Sequence, residues 1–201
     1  MDLVGALQAQ KSRVITFVGA GGKTTSMFRL ARELAEAGRT VVVTTTTRIL
    51  PPRDDQSDCL LIAQTSDQMC TAVRTCLNRV NVLTVAAALT SDGKLKGIEP
   101  EWVAELGKIS GIDCVLVEGD GSAQKPLTAP RAYEPVIPPC TELLVPVAGV
   151  DALGCSLDAR SVHRPEVIAG QAALRRSVIN CLHLDYTSTP DRNYDSIFLV
   201  R

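Results

Sequence analysis

Apolar positions along the chain fall into two kinds of pattern. The first is short unbroken runs: Val14-Ile15-Thr16-Phe17-Val18, Thr40-Val41-Val42-Val43-Thr44, Val80 to Ala88, Asp113 to Glu118 and Leu143 to Val147. Runs of this length, rich in β-branched residues and bounded by glycine or polar residues, predict strands buried on both faces. Cys59 to Ala63 predicts a shorter strand. Pro146 suits its strand to a sheet edge, because proline cannot donate to a ladder. The second pattern is helical. Met27, Leu30, Ala31 and Leu34 fall at i, i+3, i+4 and i+7, with Gly38 as C-cap. Ser66 is placed to cap a helix running to about Asn78. Pro100 suits the first turn of a helix ending near Ile109. Residues 165–179 are weakly helical, and 183–201 show little pattern until Ile197-Phe198-Leu199-Val200.

Polar punctuation separates these elements. Pro51-Pro52 and Asp54-Asp55 mark a loop. Ser91-Asp92-Gly93 supplies a turn from which Leu95-Lys96-Gly97-Ile98 returns as a hairpin arm. The prolines and glycines of 119–139 predict an ordered loop without regular structure. The first 45 residues read strand–loop–helix–strand, a βαβ unit with a right-handed crossover. Strands alternating with helices predict an α/β fold with a mostly parallel central sheet covered on both faces. With the loop described next, that is a P-loop NTPase-like three-layer sandwich. At 201 residues the chain reads as a single domain spanning 1–201. Ligands of such sheets bind at the carboxyl ends of the strands. Here those ends are 19–25, 44–48 and 118–122.

The first of these ends is Gly19-Ala20-Gly21-Gly22-Lys23-Thr24-Thr25, between a strand and a helix. Glycines let backbone N–H groups turn toward an anion, and a helix N-terminus adds its positive dipole end. Lys23 is expected to reach β- and γ-phosphates, and Thr24 to place its hydroxyl on Mg²⁺. Thr25 either touches the α-phosphate or packs in the first helical turn. The standard G-x-x-x-x-G-K-[ST] pattern needs glycine at position 17, where this chain has Phe17. The spacing here is the shorter G-x-x-G-K-T-T. ATP or GTP with Mg²⁺ is the expected ligand.

The second strand ends in Thr44-Thr45-Thr46-Thr47-Arg48. Alternation puts Thr45 and Thr47 on one face and Thr44 and Thr46 on the other. Thr45 and Thr46 are taken as candidate cofactor-binding residues, against simple β-propensity as the plain alternative. Arg48 is either a phosphate clamp or a solvated arginine. The third end, Glu118-Gly119-Asp120-Gly121-Ser122, delivers two carboxylates. Such acids bind Mg²⁺ or orient the attacking nucleophile, so Glu118 and Asp120 are candidate catalytic and metal-binding residues beside Lys23. Glu118 reads as closer to the sheet, and Asp120 as exposed by its flanking glycines. The proline-rich loop that follows reads equally as a pocket wall or a connector. His163-Arg164-Pro165-Glu166 reads as a capping cluster opening a helix.

Composition removes other classes. Lys+Arg total 21 and Asp+Glu 22, a net charge of −1, and aromatics are 3%. This leaves neither the basic footprint nor the stacking surface of a nucleic-acid binder. No stretch approaches the ~20 apolar residues of a membrane span. The start carries no basic stretch followed by an apolar core, so a cytoplasmic location is expected. The seven cysteines at 59, 70, 76, 114, 140, 155 and 181 form no Cys-x-x-Cys pair and mostly lie in apolar runs, as free thiols in a reducing compartment would.

Several motifs, in one order, resemble a single family. They are Val18 to Thr25, Val43-Thr44-Thr45-Thr46-Thr47-Arg48-Ile49, Asp92-Gly93-Lys94-Leu95-Lys96-Gly97-Ile98 and Val115 to Ser122. They continue with Pro126-Leu127, Ala129-Pro130, Glu134-Pro135-Val136-Ile137-Pro138 and Val162-His163-Arg164-Pro165-Glu166. Over roughly residues 4 to 168 the chain resembles the YqeC-like accessory proteins of selenium-dependent molybdenum hydroxylases. The resemblance implies a P-loop nucleotide-binding protein acting late in preparing a selenium- and molybdenum-containing cofactor. Its implied partners are a molybdenum hydroxylase or its cofactor-assembly proteins, and an oligomer is compatible with it. The loop spacing is also similar to that of the Mur ligases.

There are departures from the family pattern. Glu-Ala-Asp-Gly is expected where this chain has Glu118-Gly119-Asp120-Gly121. A lysine is expected at Ala123, with Lys125 two residues later. Beyond about Ala169 the similarity ends, so that part is expected to be divergent or truncated. An Asn-Lys-x-Asp-like base-reading element is expected there and is not found. The expected function is a Mg-dependent NTPase. The alternatives are a nucleotide-switched chaperone or carrier, and a Mur-ligase-like enzyme that activates a carboxylate with ATP.

Overall fold

The computed structural model describes residues 2–171 and 198–200. In chain order the elements are α1 (Leu3–Ala6), β1 (Val14–Gly19), α2 (Lys23–Glu36), β2 (Val41–Thr45), β3 (Arg48–Ile49) and β4 (Cys59–Ile62). Then come α3 (Ser66–Cys76), β5 (Val82–Ala86), β6 (Ala88–Leu89), β7 (Leu95–Lys96), α4 (Pro100–Lys108) and β8 (Cys114–Glu118). The last are β9 (Leu127–Thr128), β10 (Leu143–Gly149), β11 (Val162–His163), α5 (Pro165–Gln171) and β12 (Phe198–Val200). Seven strands form one sheet in the order β12-β10-β1-β8-β2-β5-β4, and every neighbouring pair is parallel.

Strand alternation sorts the core into two layers. Ile15, Phe17, Val41, Val43, Leu116 and Val145 point to one face and pack with Met27, Leu30, Ala31 and Leu34 of α2. These are the four helical positions whose spacing predicted the helix. Val42, Leu83, Val85, Val115 and Val117 point to the other face, against Met69 and Val73 of α3 and Val103 and Leu106 of α4. Helices on both faces of a parallel sheet make the three-layer α/β sandwich of P-loop NTPase type. Among the described residues no helix is long and apolar enough to cross a membrane. The six described cysteines are all free, and burial pushes the Cys114 thiol up to about 12. Cys181 lies outside the described residues.

Several local expectations are corrected. Thr65, not Ser66, caps α3, its side chain accepting from Gln68 N. The cap of α2 is Ala37, and Gly38 follows it at φ +82°. The 119–139 loop contains β9, which pairs with β11. Pro146 is not in an edge strand, because β10 lies between β1 and β12. Val147 O accepts from Ala20 N, so alternation turns Pro146 away from β1. Its missing N–H therefore interrupts no bond to β1. The weakly helical segment is described only as α5, Pro165–Gln171; its continuation to 179, most of 183–201 and Ile197 lie outside the described residues.

A second, three-stranded antiparallel sheet, β3-β7-β6, is anchored to the end of β2. Gly97 N donates to Thr47 O at 2.7 Å, and Ile98 N to Thr45 O at 2.9 Å. The approach is so close that a Cβ on Gly97 would lie 2.6 Å from Thr46 C and 2.7 Å from Thr47 N. Both are backbone atoms, which cannot rotate away. Gly97→Ala is therefore expected to destabilise the fold by about 1–3 kcal/mol, the usual cost of overpacking. Chemical denaturation measures it, with Lys96→Ala, at an exposed neighbouring position, as the near-neutral control.

Candidate functional site

The strand order decides what meets at the carboxyl edge. β8 lies between β1 and β2, with Glu118 opposite both Phe17 and Thr45. The acidic end of β8 and the threonine end of β2 therefore converge on the loop after β1. In that loop Gly21 and Gly22 have φ of +66° and +111°, a region that L side chains rarely enter. A Cβ on Gly21 would also lie 2.5 Å from Gly149 Cα and 2.9 Å from Pro126 O. The bare backbone is what lets the loop close against β10.

Lys23 opens α2, and its side chain is 3% exposed. Its ammonium donates to Gly19 O at 2.5 Å and lies 3.2 Å from Asp120 Oδ1 and 3.7 Å from Glu118 Oε1. Asp120 in turn accepts from Gly19 N through Oδ2 at 2.8 Å and Oδ1 at 3.0 Å. Thr24 Oγ1 donates to Glu118 Oε2 at 2.6 Å. Asp120 is thus buried at 2% exposure, contrary to the reading that its glycine neighbours expose it. Gly119 packs against the side chains of Thr16 and Val18, so the chain turns back over β1 and carries Asp120 under the loop.

The loop faces a cleft of about 990 Å³. Gly21, Gly22, Lys23, Thr24 and Thr25 line it, with Thr46, Thr47 and Glu118. Gly19 and Ala20 stand behind, their N–H groups held by Asp120 and by Val147 O. Thr45 does not reach the cleft. It is fully buried, and its hydroxyl donates to Glu118 O at 2.8 Å. Thr44 donates likewise to Val85 O. Thr46 Oγ1 donates to Val136 O at 2.7 Å, tying the strand end to the proline-rich loop. Lys125 also lines the cleft, with its ammonium on Arg160 O. His163 and Arg164 are not simply caps: Arg164 forms a forked ion pair with Glu134 and donates to Ala129 O, fastening the loop from behind.

Lys94, Lys96 and Gly97 are among the cleft residues to which the sequence assigned no role. The signal was present as two lysines at period-2 spacing in a hairpin arm. It became legible only when that arm folded over the end of β2.

Comparison with known proteins places this geometry. A profile described as "YqeC protein" matches residues 15–166. The chain belongs to the YqeC family. It is similar to "Uncharacterized protein YqeC" of Escherichia coli (strain K12), with 34% identity over 168 residues. The match covers 81% of this chain and 62% of that relative, so the chain spans less than two thirds of the relative's length. No solved structure matches. The matched YqeC region contains the loop, both carboxylates, the threonine run and the Glu134–Arg164 pair.

Burial pushes the Glu118 and Asp120 carboxyls above the usual carboxylate range, while Lys23 pulls both the other way. A carboxyl raised in the folded state stabilises the fold fully below its unfolded value, about 4. That contribution is lost as pH rises through the folded value. Glu118→Gln removes one ionisation, so this variant is expected to melt above wild type at pH 8. The gap is expected to close as pH falls toward about 4. Paired thermal melts across pH check the sign, and a gap that widens on acidification would contradict it.

Proposed function

We propose that this protein is a Mg²⁺-dependent ATP- or GTP-binding P-loop protein. In this reading it is a cytoplasmic NTPase that assists selenium and molybdenum cofactor maturation of a molybdenum hydroxylase. The observation that carries the nucleotide half is the placement of Lys23. Its ammonium is held at the base of a glycine loop whose left-handed residues face an open cleft. The loop also starts a 14-residue helix, so unpaired amides and the dipole end point the same way. The maturation half rests on the order of motifs shared with the YqeC-like accessory proteins.

The backbone of Gly21 to Thr25 would hold the phosphates, with Lys23 supplying its ammonium to the β- and γ-phosphate oxygens. Among the described residues no group of three or more His, Cys, Asp or Glu could hold a metal by itself. Mg²⁺ does not need one, since it takes one or two protein oxygens and completes its shell with phosphate and water. Thr24 Oγ1 and Glu118 Oε2, already 2.6 Å apart, are hard oxygen donors of the required kind. When bound there, Mg²⁺ would neutralise charge developing on the phosphates. In this reading the two acids have different roles. Glu118 serves the metal side, while Asp120, engaged by Gly19 N and Lys23, positions the loop. A second reading, a nucleotide-switched carrier with little turnover alone, is favoured by the Thr46–Val136 hydrogen bond. That bond links the cleft to the proline-rich loop, and a bound ligand would bias it.

Calorimetry with ATP, GTP and their diphosphates, with and without Mg²⁺, tests the assignment. Lys23→Ala is expected to weaken triphosphate binding roughly 10–100-fold, the worth of a charge-assisted hydrogen bond of about 1.5–3 kcal/mol. Circular dichroism verifies that the variant folds. Undiminished affinity in a folded variant would overturn the nucleotide site. Turnover that rises only when a molybdenum hydroxylase is added would select the carrier reading.

A further inference from the structure

The cleft has a second cationic wall that the phosphate loop does not account for. Arg48 and Lys96 are directly opposite each other in the antiparallel β3–β7 pair. Residues so placed project from the same face with Cβ atoms roughly 4.5–5.5 Å apart, and like charges there are destabilising. β3 and β7 are only two residues each, so the ladder has little else to offset that repulsion. Both residues line the cleft and are exposed, and among the described residues neither forms an ion pair. Lys94 stands beside them, its ammonium 3.9 Å from Asp92.

The other charges nearby offset this wall only in part: Asp92 interacts with both Arg48 and Lys94, and Glu99 is an exposed acid of the same cleft. Arg53 is bound to Asp55, and Lys125 to a carbonyl. The cleft's acids are Glu118, already engaged by Lys23 and Thr24, and Glu99. The wall is also rigidly mounted. Lys96 O accepts from Ala87 N at 2.9 Å, and Gly97 is pressed onto Thr45–Thr47. The segment that carries Thr46 and Thr47 thus continues directly into Arg48. A volume of about 990 Å³ is at the upper end for a ligand cavity, with room beyond a nucleotide's phosphates.

We infer that Arg48 and Lys96 form a binding site for the phosphate monoester group of a second substrate, across the cleft from the loop Gly21–Thr25. A paired guanidinium and ammonium match a dianion, whereas a carboxylate would occupy one of them. The mutual repulsion of the two cations is relieved when the dianion binds. The inference rests on the nucleotide reading, because it assigns the remaining part of that cleft.

The test titrates inorganic phosphate, glycerol 3-phosphate and acetate onto wild type and Arg48→Gln/Lys96→Gln. Each titration is run with and without saturating Mg²⁺ and a non-hydrolysable ATP analogue. Phosphate and the monoester are expected to bind wild type with the analogue in place, and acetate at least about tenfold more weakly. The double variant is expected to lose at least about tenfold in phosphate affinity, and its analogue affinity is expected to stay within about twofold. Its melting temperature is expected to hold or rise, since a repulsion is removed. Unchanged phosphate affinity in the variant overturns the inference, as does acetate binding as tightly or exclusion of the monoester. A parallel fall in analogue affinity also overturns it, by giving these cations to the nucleotide. If wild type binds no analogue, the nucleotide reading fails, and the nucleotide-free phosphate titrations still decide the second site. If the double variant melts early, Lys96→Gln alone carries the same comparison.

Discussion

An ammonium group buried beneath a glycine loop has to be paired, and that requirement organises the carboxyl edge of this sheet. Taking the Lys23 charge out of water costs several kcal/mol unless hydrogen bonds and opposite charge compensate. The compensation comes from Gly19 O at the end of β1, Glu118 at the end of β8 and Asp120 just beyond it. Three segments of chain are thereby fixed relative to one another by one side chain. The arrangement holds two carboxyls against one ammonium. Burial pushes both carboxyls up, and Lys23 pulls them the other way.

Strand order makes this meeting possible. With β8 in the middle, each flanking strand has Glu118 as its last partner. The chain leaving Glu118 can then fold back only over the neighbouring loop. Small residues carry that turn: Gly119 sits against Thr16 and Val18, and Gly21 against β10 and Pro126. Farther out, the Glu134–Arg164 ion pair holds the proline-rich loop in place, with Arg164 in a left-handed conformation at φ +66°. Strain of this kind persists where the surroundings over-determine it.

Much of the layered sandwich was legible in the sequence because its signals are local. Val14 to Val18 and Val41 to Val43 announce buried strands, and Met27 to Leu34 announce a helix face. The glycine loop and the paired acids were also readable as residues. Their local environments were not. Asp120 looked exposed because glycines flank it, yet its burial depends on contacts with β1 that are distant in sequence. Thr45 looked available, yet its hydroxyl is committed to the neighbouring strand's carbonyl. Period-2 alternation named the two threonine faces but could not say which one the sheet edge would cover. The Arg48–Lys96 opposition required knowing the register of two very short strands, which no propensity specifies.

The loop after β1 lies near the start of the chain, but the contacts that seat it come much later. Ala20 N is held by Val147 O, and Gly21 packs on Gly149. A growing chain emits the loop first and its backing strand only after more than a hundred further residues. At ~5–20 residues per second the delay is on the order of ten seconds. During that interval the loop lacks the wall that shapes it. The geometry of the loop is therefore completed only when β10 has been made, and not when its own residues have been.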